Sequence, residues 1–160
     1  MKTIYASIIL LSTALLLIFI LQRTMRTKEA RILRNLRAIE NLLSKAEDEP
    51  AAAGIIRAAR AAEHFTQDCR INVNGMNISG RAELSSAIHT ARAAAGGLSV
   101  RLHDVSISIT GEGSAEVRLT ATARAGGMTG ETLAREAVLE FFKLDGAWKI
   151  KTAETVEVLR

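Results

Sequence analysis

Two histidine–carboxylate pairs have a spacing that could support proton transfer. His64 and Asp68 lie four residues apart near the end of a predicted helix, where the carboxylate could orient the imidazole. His103 and Asp104 are neighbours at a point where the alternation of a predicted strand slips by one residue, which indicates a β-bulge. These four residues are the candidate catalytic groups. The alternatives are a capping or surface pair at the first position and a bulge that only bends the sheet at the second.

Two further carboxylates alternate with Val138 on one predicted strand. Glu136 and Glu140 would share a face of the sheet and could point together into a pocket, or else into solvent. The three His residues and the single Cys69 have no metal-ligand spacing, so we predict no metal and no cofactor. A single cysteine also excludes an internal disulfide.

An uncharged apolar segment from Ile4 to Leu21 is long enough to cross the hydrocarbon layer, and it contains no Gly or Pro. Residues 22–26 lack the small side chains of a signal-peptide cleavage site. We therefore predict an uncleaved anchor over residues 1–22 in a bacterial inner (cell) membrane, crossed once. A cleaved signal peptide is the alternative.

The charges on the two sides of this segment conflict over its orientation. Lys2 precedes it, whereas several Lys and Arg residues follow it between positions 23 and 37, which favours a cytoplasmic soluble domain. The very short charged N-terminus has the form of a signal anchor, which favours a periplasmic domain.

The region that follows, residues 23–50, predicts an amphipathic juxtamembrane helix. Its apolar stripe would consist of Ile32, Leu36, Ile39, Leu43 and Ala46. Its basic stripe would consist of Arg23, Arg26, Arg34, Arg37 and Lys45. Because the stripe begins beside the bilayer, each basic residue could gain roughly 1 kcal/mol from anionic lipids. A solvated face with a role only in topology is the alternative. A net charge of only +4 and the lack of interleaved aromatics argue against nucleic-acid binding.

The remaining residues, 51–160, predict one α+β domain. We expect the juxtamembrane helix to supply the first helix of this domain, within residues 28–48. Pro50 separates this helix from a second one over residues 51–65, with Ile55 among the inward residues. Residues 68–75 predict a short strand, and residues 77–80 predict the opening of a third helix. Beyond Gly96 the period changes to two, which predicts four antiparallel strands at about 98–109, 115–124, 132–144 and 148–158. Asp145-Gly146 is a strong hairpin signal.

This order of elements resembles the nuclear transport factor 2-like (NTF2-like, or SnoaL-like) family. The terminal hairpin Phe142–Ile150 carries most of the resemblance, with shorter matches at residues 63–68 and 80–84. The resemblance covers about residues 30–158. It implies a cone-shaped α+β domain, with helices packed on a curved antiparallel sheet. The N-terminal transmembrane helix predicted from the apolar segment would precede this domain.

The resemblance also implies an apolar pocket between the helices and the sheet. Phe65, Glu136, Glu140 and Trp148 are the candidates for its lining. Enzymes of this fold place a base in the pocket beside a Tyr or a second acid that stabilises an oxyanion. The only tyrosine here, Tyr5, lies in the apolar segment, so the domain lacks the usual phenolic donor.

We therefore predict a membrane-anchored, non-catalytic binding or assembly module. Its partner would be another protein, a small apolar ligand, or a second copy of the chain paired through the sheet. The alternative is a hydrolase, isomerase or lyase that acts on a hydrophobic substrate in the pocket, with His64 and Asp68 or His103 and Asp104 as its catalytic groups.

Overall fold

The computed structural model describes residues 23, 25–126 and 132–156. The helices in these residues are α1 (residues 25–43), α2 (Ala51–Ala62) and α3 (Arg81–Ala94). The strands are β1 (Phe65–Val73), β2 (Met76–Ser79), β3 (Leu98–Ile109), β4 (Ser114–Ala125), β5 (Thr132–Leu144) and β6 (Ala147–Val156).

The predicted membrane anchor, residues 1–22, lies outside the described residues. Within them, no helix combines the length and the apolar composition needed to cross a membrane.

The strands form one sheet in the order β2-β1-β6-β5-β4-β3. β3 to β6 form an antiparallel meander, which confirms the four predicted strands, and β1 lies parallel to β6. The predicted turn between β5 and β6 is also confirmed. Asp145 and Gly146 have φ angles of 49° and 81°, as a type I′ turn requires.

β2 replaces the predicted opening of the third helix, so that expectation was wrong. Asn74 and Gly75 have φ angles of 51° and 81° and form a second tight hairpin turn, which pairs Val73 with Met76. The chain then turns again at Gly80, whose φ of 87° favours glycine, and α3 begins at Arg81. β2 is therefore a short edge strand ahead of the helix.

The predicted β-bulge in β3 is confirmed. The pairing with β4 changes register between His103 and Ser106, so that two residues of β3 lie opposite one residue of β4. Asp104 has a left-handed φ of 53°, a conformation that aspartate tolerates better than most side chains. The bulge bends the strand and breaks its alternation, so that the consecutive residues His103 and Asp104 are both exposed.

One face of the sheet carries the core, and α1 supplies the helical side of it. Ile32, Leu36 and Ile39 of α1 belong to the same buried cluster as Phe141 and Ile150 of the sheet. At roughly 1.5–3 kcal/mol for each large side chain buried, this packing makes α1 an integral part of the domain.

α1 and the residue that follows it, Ser44, also cover the edge of the sheet at β3. The carboxylate of Glu40 accepts the backbone N–H of Leu102 at 3.0 Å, and the hydroxyl of Ser44 accepts that of Val100 at 3.1 Å. Edge N–H groups that are left unpaired invite pairing with another chain, so these bonds protect the edge.

α2 packs through small residues, contrary to the expectation that Ile55 points inward. Its buried positions are Gly54, Ala58, Ala61 and Ala62, whereas Ile55 is 56% exposed. Small side chains let the backbone of α2 approach its neighbours closely, which leaves no space for a branched residue on that side. The helix ends at Ala62, before the predicted end at residue 65.

Candidate functional site

Among the described residues, the arrangement most similar to a catalytic site consists of His103, Asp104 and Thr122. Asp104 Oδ2 lies 2.8 Å from His103 Nδ1, and His103 Nε2 lies 2.7 Å from Thr122 Oγ1. The bulge causes this arrangement, because it turns Asp104 back toward the preceding histidine. The order of carboxylate, imidazole and hydroxyl is that of a nucleophilic triad, in which the carboxylate orients the imidazole that removes the hydroxyl proton.

The environment of this cluster is open. The pKa of Asp104 is lowered first by the hydrogen bond from His103, and then by the hydroxyl of Thr120 and the charge of His103. The Asp104 side chain is nevertheless 76% exposed. An exposed cluster works in high dielectric, which weakens the electrostatic stabilisation that enzymes obtain from a closed site.

The outer face of the sheet, opposite the core, holds this cluster and also both candidate glutamates. Leu139 and Phe141 of β5 are buried, so the alternating Glu140 points away from the core. Glu140 Oε2 accepts a hydrogen bond from Thr152 Oγ1 at 2.8 Å, and Glu136 is exposed. The structure therefore does not place these carboxylates in the lining of an interior pocket.

Phe65 and Trp148 lie on the inner side, as parts of the core. Trp148 is 4% exposed, and Asn35 of α1 donates from Nδ2 to the Trp148 carbonyl at 2.7 Å. Within the described residues, Trp148 Nε1 and Asn35 Oδ1 are both buried without a hydrogen-bond partner. A buried unpaired group costs roughly 1–3 kcal/mol, so a ligand that paired with either group would gain binding free energy. Asn35 was missed in the sequence analysis. The only indication in the sequence was that this polar residue lies beside the apolar stripe of a helix.

Part of the inner face of the sheet is lined by apolar side chains that are only partly buried. The half-buried apolar side chains that pack against the core from the sheet are Leu102, Val105, Ile107, Ile109, Ala121, Ala137 and Ala153. Such a surface is typical of a site for an apolar ligand, in which a few polar groups set the orientation.

His64 and Asp68 are not brought together on a helical face, because α2 ends at Ala62 and Asp68 belongs to β1. No hydrogen bond or ion pair joins the two side chains in the part of the chain that the structure describes. Burial lowers the pKa of His64, as does the charge of Lys149, while Glu63 raises it. The Thr66 hydroxyl is the main cause that lowers the pKa of Asp68, which is exposed. The structure therefore does not join His64 and Asp68 as the expected pair, and a catalytic role for either residue stays a prediction.

The arginines of the predicted basic stripe are all exposed: Arg26, Arg34 and Arg37 on α1, and Arg23 just before it. Lys45 does not belong with them. Its Nζ donates to the carbonyls of Arg92 and Ala95 at 2.9 and 2.6 Å, and its backbone pairs with Leu98. The helix ends at residue 43 and not near Glu49, since the chain turns there to join the sheet.

A cluster of the buried Arg92 with Glu49 and the more exposed Arg57 was not predicted. Arg92 bonds to Glu49, and Arg57 Nε lies 3.6 Å from the other oxygen of Glu49. An open cleft of about 600 Å³ lies against this cluster. Its lining consists of Asn41, Ser44, Lys45, Ala46, Glu49, Arg57, Leu98, Ser99 and Arg101. No sequence pattern marked Arg92, which occupies a position on α3 where charged side chains usually reach solvent.

Cys69 is buried, forms no disulfide, and has its pKa raised by that burial. Among residues 23, 25–126 and 132–156, no group of three or more His, Cys, Asp or Glu side chains is placed to hold a metal ion.

Helices on one side of a bent, mostly antiparallel sheet, with an apolar interior, define an α+β cone of the nuclear transport factor 2-like class. The chain belongs to the SnoaL-like domain family, which matches residues 33–154. The resemblance read from the sequence is thereby confirmed for the domain.

Several solved structures share this fold. A candidate scytalone dehydratase from Novosphingobium aromaticivorans DSM 12444 has a TM-score of 0.70 at 19% identity, over 85% of this chain and 89% of that one. An NTF-2 like protein of unknown function from Shewanella oneidensis MR-1 has a TM-score of 0.65 at 15% identity, over 81% and 99%. A candidate aromatic ring hydroxylase from Novosphingobium aromaticivorans has a TM-score of 0.64 at 13% identity, over 82% and 89%. No curated protein sequence matches the chain. These likenesses show the fold alone.

Proposed function

We propose that this protein is a membrane-anchored, non-catalytic binding module whose cone holds a small apolar ligand with one polar group. The observation that carries the proposal is the pair of buried, unpartnered groups, the Trp148 Nε1 donor and the Asn35 Oδ1 acceptor. Trp148 belongs to the apolar core, and several apolar side chains that pack against this core are only partly buried. A hydroxyl group both donates and accepts, so it could pair with the Trp148 Nε1 donor or with the Asn35 Oδ1 acceptor.

The absence of a suitable acid–base pair among the described interior residues supports binding over catalysis. The histidine–aspartate pair that does form lies on the outer face of the sheet, and the side chains of Phe65 and Trp148 contribute bulk and not proton transfer. A base must lie within hydrogen-bond reach of its substrate, so the outer pair cannot serve a ligand in the cone.

The membrane part of the proposal rests on the apolar segment Ile4–Leu21 and on the exposed arginines that follow it. The charge count favours a domain on the cytoplasmic side of the inner membrane, with the periplasm as the alternative. A reporter fused to the C-terminus, active on only one side of the membrane, distinguishes the two.

The ligand proposal can be tested with the full-length chain in lipid nanodiscs, because Trp148 is its only tryptophan. We expect 1-octanol, an apolar chain with one hydroxyl group, to shift the Trp148 emission in a saturable way. The Asn35→Leu variant should bind about five- to tenfold more weakly, because it removes one hydrogen bond of roughly 1 kcal/mol.

The matched control is Asn72→Leu, at an exposed asparagine of β1. It should leave the octanol titration unchanged. Equal weakening in both variants, or an emission that never responds to octanol, would contradict the proposal.

A hydrolase is the second candidate function, favoured by the sequence of contacts from Asp104 through His103 to Thr122. This reading predicts that the full-length chain cleaves an activated ester such as p-nitrophenyl butyrate and that His103→Ala abolishes the cleavage. Rates equal to those of free imidazole in the wild-type protein would exclude it. No comparable cluster among the described interior residues supports an isomerase or a lyase. The similarity to the candidate scytalone dehydratase supports only the fold.

A second copy of the chain remains a proposed partner through the outer face of the sheet. Val138 and Phe142 are apolar members of that face, amid charged neighbours such as Glu116 and Arg118. So polar a face suits a weak, reversible dimer better than an obligate one. Analytical ultracentrifugation in detergent should show a dimer that Val138→Arg dissociates. A chain that stays monomeric at high concentration would remove this partner.

A further inference from the structure

We infer that one end of the cone docks on the surface of an anionic phospholipid bilayer. This end, here called the turn end, consists of the β3–β4 turn (residues 110–113), the β5–β6 turn (residues 144–146) and the first residues of α1. The inference rests on the proposed membrane anchor, and it adds which surface of the domain faces the lipid.

Two hydrogen bonds define the turn end. Lys28 Nζ of α1 donates to the Glu112 carbonyl in the β3–β4 turn at 3.1 Å. The Lys143 N–H donates to the Gly113 carbonyl at 2.8 Å and so joins the two turns. The start of α1 and both turns therefore lie at the same end of the sheet.

The length of chain before α1 limits how far this end can be from the membrane. The apolar segment ends at Leu21, seven residues before Lys28. Seven residues span at most about 25 Å when fully extended and about 10 Å as a helix. A bilayer that holds the apolar segment must therefore lie within about 25 Å of the turn end. Docking through the turn end would direct the opposite end of the sheet away from the bilayer.

The chemistry of the turn end fits lipid headgroups. Leu144 is 47% exposed at the tip of the β5–β6 turn and follows the exposed Lys143. Arg23 and Arg26 add positive charge at the start of α1. Glu112 and Asp145 oppose them within the turns, so the attraction comes from α1 and Lys143, and Leu144 supplies the apolar contact. Basic residues beside an exposed apolar side chain are typical of surfaces that bind anionic lipid.

β5 supplies a matched control. Leu133 and Leu144 lie on the same strand, eleven positions apart, and Leu133 is 53% exposed. At roughly 3.3 Å per residue the two leucines are about 36 Å apart. They share residue type and exposure but sit at opposite ends of the sheet.

The test uses the full-length chain in which Cys69 is replaced by Ala, with either Leu144→Cys or Leu133→Cys carrying an environment-sensitive fluorophore. The chain is reconstituted into vesicles of phosphatidylcholine and phosphatidylglycerol that contain a headgroup spin-labelled lipid. We expect the Leu144 position to be quenched at least threefold more than the Leu133 position. We also expect the difference to shrink when phosphatidylglycerol is left out.

Equal quenching at both positions, in a chain that alkaline carbonate does not release from the vesicles, overturns the docking and leaves the anchor in place. Release of the chain by carbonate overturns the anchor itself, and the docking with it. Quenching at Leu144 that is independent of phosphatidylglycerol overturns the role of the basic residues.

Discussion

Arg92 of α3 forms an ion pair with Glu49 inside the domain, where Arg92 is only 2% exposed. Arg92 Nη1 also donates to the carbonyls of Leu42, Leu43 and Ser44 at 2.7–2.8 Å. These are carbonyls at the C-terminal end of α1, which have no partner within the helix. A side chain from another helix thus caps α1 and fixes its end to the domain.

Replacing Arg92 should destabilise the fold strongly. The Arg92→Met variant leaves Glu49 with Arg57, at 3.6 Å, as its remaining cationic partner. It also removes the Arg92 donor from three carbonyls, of which only that of Ser44 keeps a contact with Arg57, so we expect a loss of about 3–5 kcal/mol. Arg101→Met is the matched control, since Arg101 is 74% exposed and pairs with Glu40 at 3.5 Å. It should cost less than about 1 kcal/mol. Urea unfolding of the full-length chain in micelles, followed by Trp148 fluorescence, measures both, and similar losses would contradict the capping role.

Much of the fold could be predicted because local patterns and tertiary packing agree. The slip in alternation at His103 marks a real bulge, and Asp145-Gly146 forms the expected hairpin. β2 was missed although Asn74-Gly75 carries the same kind of turn signal. The strand has only four residues, too few to show alternation, and the helix that follows it masks its boundary.

The site was harder to predict because it depends on contacts between distant segments. The pairing of Asn35 with Trp148 joins α1 to the last strand, and nothing in either local sequence indicates it. Glu136 and Glu140 point to solvent because α1 covers the other face of the sheet. The alternation of a strand shows which residues share a face, but not which face will be covered by a helix. The neighbouring His103 and Asp104 could be paired from sequence, but the contact to Thr122 requires the register of β3 and β4.

Acid should weaken the fold partly through His64. Its pKa in the folded protein is lowered, mainly by burial, whereas the unfolded chain titrates near about 6.5. The unfolded state therefore takes up the proton first as pH falls, and the contribution of His64 to stability is present above about 6.5 and lost below it. We expect the stability of wild type relative to His64→Gln to decline between pH 7.5 and pH 5. Parallel stability curves for the two proteins would refute this assignment.

Asp104 should tolerate asparagine better than alanine. Its φ of 53° lies in the left-handed region, which Asn adopts readily and Ala does not. Asn also keeps an oxygen that can accept a hydrogen bond from His103, although it loses the charge. We expect the melting temperature to fall in the order wild type, Asp104→Asn, Asp104→Ala. A melting temperature of Asp104→Ala at or above that of Asp104→Asn would show that the bulge relaxes without strain.

α2 should be sensitive at its small residues and tolerant at its large ones, the reverse of the usual pattern for a helix. Ala58 is fully buried, so Ala58→Leu must displace packed neighbours at a cost of about 1–3 kcal/mol. Ile55 is exposed, and Ile55→Lys should change the free energy of unfolding by no more than about 0.5 kcal/mol. Thermal and urea unfolding of the two variants test the difference. A large loss in Ile55→Lys, with Ala58→Leu unchanged, would mean that α2 presents its isoleucines to the core and that its packing is other than described.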